Sequence, residues 1–373
     1  MAEPCILYGT PFSLYTGKVR AYLIKQKIPY RELAPGTDHY YNTVLSAIHR
    51  WRIPVIEFPE NTFIQDSSII IDHFENQPDI QSTLPPTPKQ KIVSLLFDVI
   101  GMEGLLRPAM HYRWNFPDDN DLMIKQSFLT LNPPWTKKPI AAAEKNMDLM
   151  RSACEAWGAV PEALAIIEEL FMEVLDLLDK HFLQAPYLLG GKPSIGDFGL
   201  IAPFYGHLSR DPYPSSMIKK HAPRVFRWTE RMNRTESDMG EFPNQTEALL
   251  ENDDIPDTLK AVLKKIGEDL VPESTAATES INQWLADNNP AAGDPVERGV
   301  GFGEFELRGA KITALAQPWR FFLLARMQKA FNELDDTPKE EVRAFMQDLG
   351  LETLLTLTIN REVKRHDNLE VWG

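Results

Sequence analysis

The sequence predicts an α/β N-terminal domain followed by an all-helical domain, with an additional mostly helical extension behind them. Three observations predict this. Over residues 1–82, apolar runs of strand length alternate with helical stretches. A proline-rich break follows, with Thr83, Pro85, Pro86 and Pro88, where missing backbone donors stop both helix and strand. After it the patterning is nearly all helical. The expected divisions are 1–82, 83–240 with an insertion at about 113–156, and 241–373.

The elements follow in order. Residues 5–9, CILYG, read as a short buried strand ended by a turn at Gly9 and Pro11. From Leu14 to Lys27 the pattern turns helical, with Val19, Tyr22, Leu23 and Gln26 on one face. Residues 28–33 form a second strand, and 38–49 a poorly patterned helix. Residues 54–58 and 62–64 read as two strands joined by a tight turn at 59–61. Asp66 and Ser67 precede an apolar helix as capping residues do.

Beyond the linker, residues 89–112 read as one helix, and 113–156 as an irregular insertion that includes the run NPPW at 132–135. Residues 161–183 form a strong amphipathic helix, with Ile167, Leu170, Phe171, Val174 and Leu178 at the required spacing. Ser194 and Asp197 fit a capping box that opens a helix over 195–209, and another helix covers about 222–235. From about 236, polar runs suggest loops between short helices. Residues 317–334 are amphipathic, and Thr337 with Glu340 reads as a capping box for a helix ended by Gly350.

Bulk composition narrows the function. The 373 residues carry a net charge of −14, which disfavours phosphate backbones, so no nucleic-acid partner is expected. No apolar run is long enough to span a membrane, and the first residues lack a secretory pattern, so a cytoplasmic location is expected. The two cysteines, Cys5 and Cys154, show no metal spacing, and no metal site is expected among the histidines.

Three segments carry a resemblance. The first is PFSLYTGKVR at 11–20, with Ser13 at the start of a helix. The second is Arg52, Ile53, Pro54 and Val55. The third is QDSSII at 65–70, with Asp66 and Ser67 opening a helix. With the capping element at Ser194 and Asp197, they resemble the glutathione transferase superfamily, in its Ser-type, tau-, zeta- and omega-like form, over about residues 5–235. The resemblance implies a thioredoxin-like N-terminal domain, an all-α glutathione-transferase C-terminal domain, and a proline at 54 in the cis form. The C-terminal extension lies outside it.

The resemblance also implies glutathione as the thiol substrate. Ser13 would hold and orient the thiolate through its hydroxyl at a helix N-terminus. Ile53, beside Pro54, would pair with the peptide backbone of glutathione. Asp66 and Ser67 would receive the γ-glutamyl end and Arg52 the glycyl carboxylate. Ser13 could instead serve only as a cap, and Tyr8 and Tyr15 are rival partners for the sulfur. A small apolar electrophile would lie between the domains against Met110, His111, Tyr112 and Trp114, residues that could equally be core. Family members commonly form homodimers through the first domain and the start of the second. The enzyme reading has an alternative, a non-catalytic binding or scaffold protein on the same fold, since fold alone does not fix function. The extension could also be a separate interaction module.

Overall fold

The computed structural model describes residues 4–132 and 140–373. The chain start at 1–3 and the prolines and tryptophan of the run at 132–135 lie outside the described residues.

Apolar alternation and turn residues place the first elements as expected: β1 (Cys5–Tyr8), α1 (Leu14–Lys25), β2 (Tyr30–Leu33), α2 (Leu45–Ile48), β3 (Val55–Glu57), β4 (Phe63–Gln65) and α3 (Ser67–Glu75). A wide turn of helix, Tyr40–Val44, leads into α2. The sheet runs β2-β1-β3-β4, with β1 parallel to β2 and the other pairs antiparallel. The β3–β4 turn is tight because Asn61 takes a left-handed φ of 58°. This is the thioredoxin-like arrangement.

The helical domain begins at α4 (Pro88–Val99). Pro88 sits at the first helical position, and the carboxylate of Asp253 accepts the N–H groups of Lys89 and Gln90. The single helix expected over 89–112 is broken. A widened turn at Ile100–Gly104 separates α4 from α5 (Leu106–Trp114). Two glycines, Gly101 and Gly104, lie in that turn. At Gly101 the chain passes so close to α9 (Ile195–Pro203) that any Cβ would overlap the carbonyl of Gly199.

The insertion is also more regular than expected. It holds α6 (Pro117–Leu129) and α7 (Ile140–Ala156). Next, α8 (Leu164–Phe182) buries the five apolar residues singled out by spacing. Each such side chain contributes about 1.5–3 kcal/mol on burial. The capping box of Ser194 and Asp197 is formed at the start of α9. Then α10 (Pro212–His221) and α11 (Pro223–Met232) close the domain.

Past α11 the expectation of loops between short helices fails. Instead α12 (Asp257–Asn288) runs for 32 residues, with Pro272 inside it. A hairpin follows, β5 (Phe302–Leu307) and β6 (Ala310–Leu315). It turns on Arg308 and Gly309, both at positive φ, and buries alternate residues of β5. Next come α13 (Pro318–Asn332) and α14 (Asp336–Asp348). The expected box at Thr337 is not formed, because α14 starts earlier with Asp335 as its N-cap residue. A second hairpin, β7 (Val363–His366) and β8 (Leu369–Trp372), ends the chain.

The extension packs onto the other two parts and shares their core. Helix α13 lies on α4, and α12 on α8. The last hairpin pins the edge of β4: Asn368 Oδ1 accepts the Gln65 N–H at 2.9 Å and Arg365 donates to the Gln65 carbonyl at 2.8 Å. Among the described residues, no helix is long and apolar enough to cross a membrane.

The close approach of Gly101 to Gly199 sets a clear test. Gly101→Ala has no space that side-chain motion can open, so urea unfolding is expected to show a loss of about 3 kcal/mol. Gly240→Ala, at a site with nothing within 4 Å of an added Cβ, is expected to change stability little.

Candidate glutathione site

The site begins at the loop between β1 and α1. Ser13 is the N-cap of α1, and its Oγ accepts the Thr16 N–H at 3.3 Å. Accepting this bond leaves the hydroxyl proton free to donate elsewhere. Capping and contact with a ligand are therefore compatible roles. Ser13 lines two adjoining cavities, a polar one of about 290 Å³ and an apolar one of about 650 Å³.

The polar cavity gathers most of the expected residues. The Ile53–Pro54 bond is cis, and both residues line the wall. Asp66 lines it too. Its backbone is held at φ 88°, and its side chain accepts the N–H groups of Ser68 at 2.8 Å and Ile69 at 3.3 Å. Burial raises its pKa, while Arg365 and Lys18 pull it back down. Arg52 lines the wall, but Glu370 of β8 holds its guanidinium at 2.7 Å, so that charge is already met. Ser67 is fully buried, and its hydroxyl turns to the Met102 sulfur at 3.9 Å rather than into the cavity.

Of the two tyrosines, Tyr8 points away. Its hydroxyl donates to Glu57 at 2.6 Å inside a separate cluster with Tyr40 and Val55, and burial pushes its pKa up. Tyr15 lines both cavities beside Ser13.

The apolar cavity is bounded by Phe12, Leu106, Met110, Trp114, Phe128 and Trp157. Leu149 and Met150 of α7 line it as well, so the insertion contributes to its wall. Of the four residues expected here from α5, Met110 and Trp114 line the cavity and are one turn apart. His111 and Tyr112 do not. His111 pairs with Glu168 at 3.0 Å and Asn115 at 2.8 Å, and Tyr112 stacks on Phe116. Adjacent helical residues diverge by about 100°, and Tyr112, midway between Met110 and Trp114, falls on the opposite face of α5.

The structure adds residues that motif reading missed. Glu103, in the widened turn after α4, lines the polar cavity. It is 4% exposed, and its Oε2 has no hydrogen-bond partner. Burial raises its pKa from 4.5 to about 7, with Glu273 and Asp66 adding to the rise and Arg320 and Arg298 opposing it. The extension supplies Arg298, Gln317, Trp319 and Glu370 to the same wall.

Comparisons with known proteins agree with this fold. Residues 7–83 match the family described as glutathione S-transferase, N-terminal domain, and residues 156–231 that described as glutathione S-transferase, C-terminal domain. Two stretches of the chain are thus similar to the N- and C-terminal domains of glutathione S-transferases. Among solved structures it is similar to a glutathione S-transferase of Methylobacterium radiotolerans in complex with glutathione sulfonate (17% identity, 63% of this chain and 92% of that chain, TM-score 0.39). It is also similar to a glutathione S-transferase of Ceriporiopsis subvermispora in complex with glutathione (16%, 62% and 99%, TM-score 0.42). A third is a beta-etherase from a Sphingobium strain (14%, 63% and 97%, TM-score 0.42). No curated protein matches the sequence.

Glu103 predicts a pH signature. Its folded pKa lies above its unfolded value, so the ionised form opposes folding. Stability falls as pH rises from about 4.5 to 7, by up to about 3 kcal/mol, and the cost then stays constant. Glu103→Gln is expected to be more stable than the parent at about pH 8 and equal to it near pH 4, as read by paired urea titrations.

Proposed function

We propose that the chain binds glutathione in the polar cavity and activates its thiol for attack on a small apolar electrophile in the larger one. The observation that carries this is the position of Ser13. Its hydroxyl proton is free to donate at the junction where a polar cleft meets an apolar cavity.

The extended tripeptide pairs its cysteinyl backbone with Ile53, which lines the polar cavity. The γ-glutamyl carboxylate lies at the positive end of α3. Its α-ammonium faces Asp66 and Glu103, two acids whose charge is otherwise costly in the buried cleft. The ammonium favours the ionised form of both. Arg52 contributes less than a free guanidinium, because Glu370 neutralises it.

A free thiol has a pKa near 8.5, so only a few per cent is thiolate at neutral pH. The Ser13 hydroxyl donates to the sulfur, the N-terminal end of α1 adds positive potential, and the displaced proton passes to water. The thiolate then forms a carbon–sulfur bond with the electrophile. In a displacement the leaving group departs with its electron pair. In an addition the adjacent carbon or oxygen takes up a proton. A cavity of about 650 Å³ with aromatic walls suits a drug-sized apolar reactant.

Dimerisation by the family route meets an obstacle. The β4 edge and α4, in the first domain and at the start of the second, are covered here by the last hairpin and by α13 and α14. A homodimer of this chain needs another face.

Retention on immobilised glutathione and turnover with a chloronitroaromatic electrophile test the reading together. Ser13→Ala is expected to keep retention and lose about ten- to a hundredfold in kcat/KM, the worth of one hydrogen bond to a charged atom. Asp66→Asn keeps the cap acceptor and is expected to lose retention. Retention without turnover in the parent chain points instead to the binding or scaffold alternative. Absence of both contradicts the proposal.

A further inference from the structure

The extension places one cation at the junction of the two cavities. Arg298 lies in the segment between α12 and β5, and it lines both cavities together with Ser13 and Tyr15. Its guanidinium donates to the Tyr15 hydroxyl at 3.2 Å and lies over the Trp157 ring, 5.3 Å from the centroid. Its surface is open to the cleft, while the surrounding protein is dense. No carboxylate lies within ion-pair distance of it among the described residues. Glu103 and Glu370 act on it only through space.

The other arginines of these walls are already neutralised. Arg113 pairs with both oxygens of Asp211 and donates to the carbonyls of Phe12 and Gly206. Arg52 pairs with Glu370. Among the described residues of these walls, Arg298 is the arginine that keeps an uncompensated charge facing the junction.

The segment that carries it is pinned on both sides. The Val296 N–H donates to the Glu370 carbonyl at 2.9 Å, and the Val296 carbonyl accepts from Arg50 at 3.2 Å. The Val300 N–H donates to the Ala316 carbonyl at 3.0 Å. Arg298 is thus held two residues from a fixed point on either side, by contacts that reach the first domain and the extension.

We propose that Arg298 is a catalytic residue of this site, a guanidinium that stabilises the glutathione thiolate beside Ser13. The proposal rests on the glutathione reading above. In this arrangement the hydroxyl of Ser13 and the N–H groups of Arg298 approach one sulfur from different parts of the chain. The S–H bond breaks, its proton goes to water, and Arg298 stays protonated throughout and pairs with the anion. A fixed guanidinium beside an ionising group lowers its pKa by about one to three units. Tyr15 holds the guanidinium in place through its oxygen. The charged and titratable groups facing Arg298 are Tyr15, Glu103 and Glu370. Ionisation of Glu103 near neutral pH weakens the net positive field at the sulfur, so Glu103 tempers the effect unless an ammonium group neutralises it.

The test separates sulfur from peptide. The pKa of bound glutathione is read from the ultraviolet absorbance of its thiolate in the full chain, in Arg298→Met and in Arg298→Lys. Affinity for S-methylglutathione, which has no ionisable sulfur, is read by calorimetry in parallel. Arg298→Met is expected to raise the bound thiol pKa by about one to three units and to leave S-methylglutathione affinity within about twofold. Its kcat/KM is expected to fall at least about tenfold below the thiol pKa and to approach that of the parent at high pH. Arg298→Lys is expected to restore part of the shift. An unchanged thiol pKa overturns the proposal, and if S-methylglutathione affinity falls instead, Arg298 serves a carboxylate of the peptide. Failure of the parent chain to bind S-methylglutathione overturns the glutathione reading and this proposal with it.

Discussion

The carboxylate of Asp98 holds the three parts of the molecule in one register. It is almost fully buried on α4, where it takes Lys18 of α1 at 2.5 Å and Arg326 of α13 at 3.0 Å. Lys18 also donates to Ser68 at the start of α3, and Arg326 also meets Asp72. Two positive and two negative groups thus close a neutral chain from the first domain through α4 to the extension, buried at Lys18 and Asp98 and partly exposed at Arg326 and Asp72. Removing Lys18 or Asp98 leaves an unpaired buried charge, at a cost of about 3–5 kcal/mol. The cluster lies directly behind the cleft. Ser13 caps the helix that carries Lys18, and Asp66 caps the helix that carries Ser68 and Asp72.

A second cluster fixes the opposite rim. Glu370 on β8 receives Arg52 at 2.7 Å and Arg365 at 2.9 Å, while Arg365 and Asn368 hold the Gln65 backbone. The buried group of Arg107, Arg320, Asp269 and Glu273 binds α12 to α5 and α13 in the same way. These contacts make the extension a wall of the cleft. A wall built by the same chain does not dissociate, so the polar cavity keeps its shape without a partner. The insertion does the same for the apolar cavity, through α7.

The first domain was legible in the sequence because its signals are local. A cap, a proline after a basic residue and an acid before a helix are readable within a few residues, which is what marks Ser13, Pro54 and Asp66 as candidates. Arg298, Glu103 and Glu370 carry no such signal. Contacts across 283 and 318 residues place Arg298 and Glu370, and no window on the sequence spans that. Other misses had a readable cause. The glycines at 101 and 104 mark the break after α4, and the helical period that puts Met110 and Trp114 on one face already puts Tyr112 on the opposite one. Alternation in β5, ended by Arg308 and Gly309, has the two-residue period of a hairpin. Pro272 disguised the length of α12, since an interior proline normally breaks a helix.

The most direct measurement is a crystal structure of the full chain with glutathione bound. The account predicts the peptide along Ile53 and Pro54 and the sulfur within about 3.5 Å of both Ser13 Oγ and the Arg298 guanidinium, with the last hairpin still seated on Gln65. A peptide bound elsewhere, or a cleft that admits it only after the extension has swung away, contradicts the account.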